Sequence, residues 1–159
     1  GHLDVLFIGE DRFAQGHGPM VRTISELQDS ARRFGVALAI ATGPRTYGTG
    51  RDAFRELAAS GAPTTAAAIF NDRATVGFVH AAQLGGRTIP GDLSVVAIGM
   101  GEDAAEIDPP LTTFTPPVAN LTGSAVRMLV AMVEDHPLPH PEVLLEAPLV
   151  ERASVRTIS

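Results

Sequence analysis

The chain enters on an uninterrupted apolar run, Val5, Leu6, Phe7 and Ile8, closed by Gly9 and Glu10. Apolar residues without polar alternation predict a strand buried on both faces of a parallel sheet. A polar, glycine-rich stretch leads to Pro19, after which Val21, Ile24, Leu27, Ala31 and Phe34 recur at three- and four-residue spacing before Gly35. That spacing predicts an amphipathic helix with a glycine stop. Strand pattern returns over 36–41. Residues 42–50 hold four of Gly and Pro (Gly43, Pro44, Gly48, Gly50) and read as loop, followed by a short helix over 51–59.

The same unit then repeats. Residues 65–70 form a buried strand pattern, Asn71 or Asp72 can cap a helix over 73–84, and Gly85 and Gly86 end it. A fourth strand is predicted over 93–98 and a short extended stretch over 111–115. Val118, Leu121, Ala125, Met128, Leu129 and Met132 mark a long helix reaching Glu134. A proline-rich connector, 136–141, leads to a tail whose strand pattern over 142–155 is broken by Pro148. Strands alternating with helices predict an α/β fold, a doubly wound, mostly parallel sheet built on right-handed crossovers. In such sheets ligands sit at the carboxyl ends of the strands.

Composition narrows the chemistry. With 159 residues, 45% of them hydrophobic and 19% charged, the chain can build a full core without staples. Its net charge is -6 and its basic residues are scattered, a poor match to a nucleic-acid surface. All twelve basic residues are arginine, so a Walker A loop and Schiff-base catalysis are excluded. Zero cysteines exclude disulfides, thiol nucleophiles and cysteine-ligated zinc. No apolar run approaches the ~20 residues of a membrane span. The first residues lack a signal-peptide pattern, and a strand so close to the start is expected of a piece cut from something longer.

Four constellations invite a functional reading. Gly48, Gly50 and Ala53 fit the G-x-G-x-x-G/A dinucleotide spacing, but four residues separate them from the preceding strand, and a plain loop is the expectation. His136 and His140 are four apart, yet Pro137, Pro139 and Pro141 forbid the helix that would align them on a metal. Glu10, Asp11 and His17 cluster beyond the first strand without a placed nucleophile, and polar groups there serve a binding cleft equally well. Asn71 has two readings, a helix N-cap or an amide presented to a polar ligand.

Four stretches, in order, carry a family resemblance. They are the first strand ending at Gly9; Pro63 to Asp72, with Ala74 and Gly77; Ile89 to Ile98; and Pro109 to Thr113, followed after the long helix by Leu149 to Ser154. Together they resemble the effector-binding core of LacI/GalR-type bacterial transcriptional repressors. The resemblance implies a periplasmic-binding-protein-like type I subdomain, with a small metabolite clamped between it and a second α/β subdomain. On this basis 1–110 is the C-terminal subdomain core, 111–141 a crossover strand and helix toward a missing N-terminal subdomain, and 142–159 a returning tail.

The resemblance also implies site residues. Asn71 matches the family's cleft asparagine, Arg22 lies near its effector-binding arginine, and Tyr47 falls where an aromatic often stacks on a ligand ring. Gly99 stands where the family usually carries an aspartate for ligand hydroxyls, which argues against a typical sugar effector. Pro116 or Pro117 replaces a further polar residue. Dimers of the family pair through positions matching Val76, His80, Ala104 and Ile107.

The function so implied is a cytoplasmic, non-enzymatic, metabolite-sensing and homodimerising domain. It needs no cofactor and no metal, has no membrane partner, and would reach DNA only through a helix-turn-helix absent from this chain. Two rivals stand beside it, a secreted solute-binding receptor of the same fold and a small nucleotide-dependent α/β enzyme.

Overall fold

The computed structural model describes residues 4–10, 19–137 and 143–157. The first strand, β1 (Asp4–Glu10), runs where the apolar pattern places it. Helix α1 (Pro19–Phe34) ends at Gly35, whose φ of 65° is the left-handed turn that lets the amide of Val36 return to the Ala31 carbonyl at 2.8 Å. Strand β2 (Ala37–Gly43), helix α2 (Tyr47–Ser60), β3 (Ala66–Ile69), α3 (Asp72–Leu84) and β4 (Ser94–Ile98) complete the alternating pattern. A 3-10 turn (Gly101–Ala105) then leads to β5 (Thr112–Phe114), α4 (Val118–Val133) and β6 (Leu149–Val150).

The six strands form one sheet in the order β2-β1-β3-β4-β5-β6. Neighbours are parallel except at the last pair, where β6 lies antiparallel on β5. The chain moves one way from β1 to β2 and the other way from β2 to β3 and β4. Right-handed crossovers therefore set α1 on one face and α2 and α3 on the other. The α/β class and mostly parallel sheet expected from the sequence are the ones observed.

The core lies on the α2–α3 face. Leu6 and Ile8 of β1, Ala67 and Ile69 of β3, and Val95 and Ala97 of β4 meet Phe54, Phe78, Val79 and Ala82 from the helices. Phe54 and Phe78 meet edge to face with ring centroids 5.6 Å apart. The two helices approach closely because each offers a glycine. A Cβ on Gly50 would stand 1.8 Å from the Ala74 carbonyl oxygen, and one on Gly77 would stand 2.0 Å from that of Tyr47.

This contact corrects one expectation. Residues 47–50 are not loop but the first turn of α2, capped by Thr46, whose hydroxyl accepts from the Thr49 amide at 3.3 Å. Glycine content misled the sequence reading because Gly50 is selected for helix–helix proximity and not for a turn. The tail is held more firmly than its two-residue strand suggests. Buried Ser154 donates its hydroxyl to the Val95 carbonyl at 2.5 Å and accepts the Thr112 amide at 2.8 Å, stitching β4, β5 and the tail.

Candidate functional site

A doubly wound sheet opens a crevice where its strand order reverses. Here the reversal falls between β1 and β3, at the centre of the sheet. The pairing of these strands continues for one bond beyond β3, from the Phe70 amide to the Ile8 carbonyl at 2.8 Å, and the next residue is Asn71. Asn71 is 5% exposed, and its Oδ1 accepts the Ala74 amide at 3.1 Å. Its backbone carbonyl accepts both the amide and the hydroxyl of Thr75, at 2.8 and 2.7 Å. The N-cap reading of Asn71 therefore holds, and capping fixes its side chain at the crevice.

Gly99 follows β4 one strand along. Its amide donates to the Phe114 carbonyl at 3.0 Å, and its φ of 87° is backbone that favours glycine. A Cβ there would meet no atom within 4 Å, so conformation and not crowding explains the glycine. Gly99 leaves the mouth of the crevice without a carboxylate at that position. Arg22 lies in the first turns of α1, on the far face of the sheet from α2 and α3.

Tyr47 opens α2 and is 58% exposed. It lines two hollows on the outer surface of the α2–α3 layer. One of about 500 Å³ is bounded by Arg51, Phe54, Arg55, His80 and Leu84, and another of about 250 Å³ by Arg73, Val76, Met100, Asp103 and Ile107. The structure thus sets Tyr47 beside Val76, His80 and Ile107, at the outer edge of the helical layer. Ala104 lies beneath them, fully buried in the core, so its part in that face is to support the packing below the surface.

The dinucleotide-like glycines belong to α2: Gly50 is pressed on α3 and cannot face a phosphate. Glu10 ends β1, while Asp11, Arg12 and His17 lie outside the described residues. His136 sits 3.4 Å from Glu134, and His140 lies outside the described residues. Two carboxylates are held below their ordinary range. Asp92 accepts the amide and hydroxyl of Thr88, and Asp52 accepts the Arg51 guanidinium. Neither stands at the crevice; one braces a turn and the other a helix surface.

The crevice geometry coincides with a match to the periplasmic binding protein-like domain over residues 1–155. The chain belongs to that family. Among curated relatives, the periplasmic binding protein-like domain here is 29% identical over 147 residues to the HTH-type transcriptional regulator GalR of Escherichia coli (strain K12), covering 86% of this chain and 43% of GalR. It spans less than half the length of the curated relatives it matches. A LacI family transcriptional regulator from Bifidobacterium animalis subsp. lactis superposes with a TM-score of 0.88 at 18% identity, over 100% of this chain and 57% of that one. A transcriptional regulator CelR–cellobiose complex superposes at 0.83 and 22% identity, over 97% of this chain and 47% of that one. At these identities the structural likeness speaks to the fold alone.

Among the described residues no helix is long and apolar enough to cross a membrane. Sequence reasoning had no access to the buried Ser154 stitch or the 3-10 turn. A lone serine in a tail and an acidic loop carry no periodic signal.

Proposed function

We propose that this chain is the ligand-sensing domain of a LacI/GalR-type transcriptional regulator. A small metabolite would be held at the crevice between β1 and β3, without catalysis. The observation that carries this reading is the place of Asn71. It is the first polar side chain after β3, beside the reversal of strand order, nearly buried, and oriented by a cap that engages Oδ1 and leaves Nδ2 to donate to a ligand. The relatives support it, since GalR is a transcriptional regulator and the CelR structure is a complex with cellobiose. Tyr47 lies on the helical layer and Arg22 on α1, so in this reading Asn71 is the anchor and those two act at the margins.

The domain division 1–110, 111–141 and 142–159 belongs to the same proposal. Helix α4 buries none of its side chains, while Leu121, Leu129, Val130 and Met132 are exposed along it. A stripe of that kind is read as the seat of a second α/β subdomain that closes the cleft. The outer face of α3, with Val76, His80 and Ile107, is where two copies would pair, and a helix-turn-helix outside this chain would reach DNA. Ligand then acts by favouring one arrangement of the subdomains over another.

The test is a thermal-shift screen against sugars, polyols, nucleobases and small acids, run on the protein and on Asn71→Asp. Aspartate keeps the capping oxygen and removes the amide donor. One chemical class is expected to stabilise the protein, by ~2.7 kcal/mol at 100 times its dissociation constant. Asn71→Asp should keep the unliganded melting temperature and lose the ligand shift. A full ligand shift in Asn71→Asp removes Asn71 from the site, and no response to any class removes the sensing function.

A further inference from the structure

The carboxyl ends of the strands hold the crevice; the opposite pole of the sheet carries a hollow of its own, of about 420 Å³. Two segments that enter the sheet at its amino ends wall it. Arg87, Thr88 and Ile89 come from the loop that joins α3 to β4, and Asp108 and Pro109 from the stretch that leads into β5. The size is that of a small-molecule site.

The backbone around the hollow is held in place. Gln83, in the last turn of α3, donates Nε2 to the Asp108 carbonyl at 2.6 Å, which ties the helix to the second segment and leaves Oε1 as an oriented acceptor. The first segment is folded on itself. Asp92 Oδ2 accepts the amide and the hydroxyl of Thr88 at 2.8 and 2.7 Å, and the Arg87 amide donates to the Ala82 carbonyl at 2.9 Å.

The charges that line the hollow are not spent in this way. Asp92 lies in the field of Arg87, but its carboxylate is engaged by Thr88. Among the described residues, neither the Arg87 guanidinium nor the Asp108 carboxylate makes a hydrogen bond or an ion pair, with each other or with any other group. A lone exposed arginine or aspartate is ordinary. One of each in a single hollow, not neutralising one another, is selective by sign. A simple cation is repelled by Arg87 and a simple anion by Asp108, whereas a guest carrying both charges satisfies both. The planar guanidinium matches a carboxylate, and the Asp108 carboxylate with Gln83 Oε1 offers two acceptors to an ammonium. Ile89 and Pro109, both half-buried, supply apolar surface for a short side chain.

We propose that this hollow binds a zwitterionic α-amino acid, its carboxylate on Arg87 and its ammonium between Asp108 and Gln83 Oε1. Bound there, the ligand bridges the loop before β4 and the segment before β5. It lies at the far end of the sheet from Asn71, so it does not compete with a ligand in the crevice.

The experiment is isothermal titration calorimetry of the protein with the common L-α-amino acids at millimolar concentration. Each binder is followed by its N-acetyl derivative, which lacks the ammonium, and its primary amide, which lacks the carboxylate. Arg87→Gln, Asp108→Asn and Asn71→Asp are titrated beside the wild type. At least one amino acid is expected to bind, and both derivatives should bind about 10-fold more weakly or worse. The same loss is expected in Arg87→Gln and in Asp108→Asn, at unchanged unliganded melting temperature because both residues are exposed. Asn71→Asp should bind as the wild type does.

If no amino acid binds, the proposal is wrong, whatever the crevice holds. A binder indifferent to both Arg87→Gln and Asp108→Asn, or lost only in Asn71→Asp, sits elsewhere, and the hollow is not its site. Equal affinity for the N-acetyl derivative or the amide shows that one charge suffices and overturns the zwitterion. Should Asp108→Asn loosen the segment before β5 and melt lower, Arg87→Gln carries the test, and unchanged affinity in that variant is equally fatal.

Discussion

Helix α3 and helix α4 carry comparable apolar stripes and meet opposite fates. Helix α3 buries Ala74, Thr75, Gly77, Phe78, Val79 and Ala82, whereas α4 buries nothing, and its Leu129 and Met132 stand 60% and 64% exposed. Periodicity specifies which side of a helix seeks apolar company. Whether company is at hand depends on the chain's path: α3 returns over the sheet to β4, while α4 leaves the sheet after β5. The same stripe is therefore core in one place and, in our proposal, an interface in the other.

The sharpest way to break this contrast is to part α2 from α3. Gly50→Val forces side-chain atoms into the Ala74 carbonyl and is expected to cost about 3 kcal/mol or more, read from the urea midpoint. A near-neutral Gly50→Val would mean that the helices do not pack as described.

Removing the Ser154 hydroxyl comes next. Ser154→Ala leaves the Val95 carbonyl and Thr112 amide without that partner inside the fold, and a loss of about 1–3 kcal/mol is expected in the same measurement. A loss below a few tenths would show that the tail contributes little to holding β4 and β5.

On α4 the expectation reverses. Leu129→Gln removes an exposed leucine and should stay within about 0.5 kcal/mol, despite being a larger change in polarity than Ser154→Ala. A loss of 2 kcal/mol would place α4 in a packed setting and erase the contrast.

The smallest effect is acidic. Asp92 has a lowered pKa because the Thr88 amide and hydroxyl donate to it. A carboxylate depressed on folding stabilises above its unfolded pKa, and that contribution fades as pH falls through the lowered value. Stability should therefore weaken slightly below about pH 4, and Asp92→Asn should flatten that limb of the pH profile. Asp92 is solvent-exposed, so the change is a small one. An acid limb unchanged by Asp92→Asn would assign it to other carboxylates.

Much of this molecule is legible in its sequence, and for physical reasons. Continuous apolar runs name the buried strands, three- and four-residue spacing names the helices, and Gly35 ends α1 at the predicted residue because a left-handed stop is a local requirement. Asn71 is legible as a cap because it stands between a strand and a helix, and the cleft role we propose for it follows from the same position. Tertiary structure alone decided the rest. Gly50 looked like a loop residue because the backbone that crowds it lies in another helix, 24 positions later at Ala74. The Ser154 stitch joins groups some 40 to 60 positions apart. Local chemistry repeats along the chain and can be read there. Proximity between distant segments is created by folding and cannot.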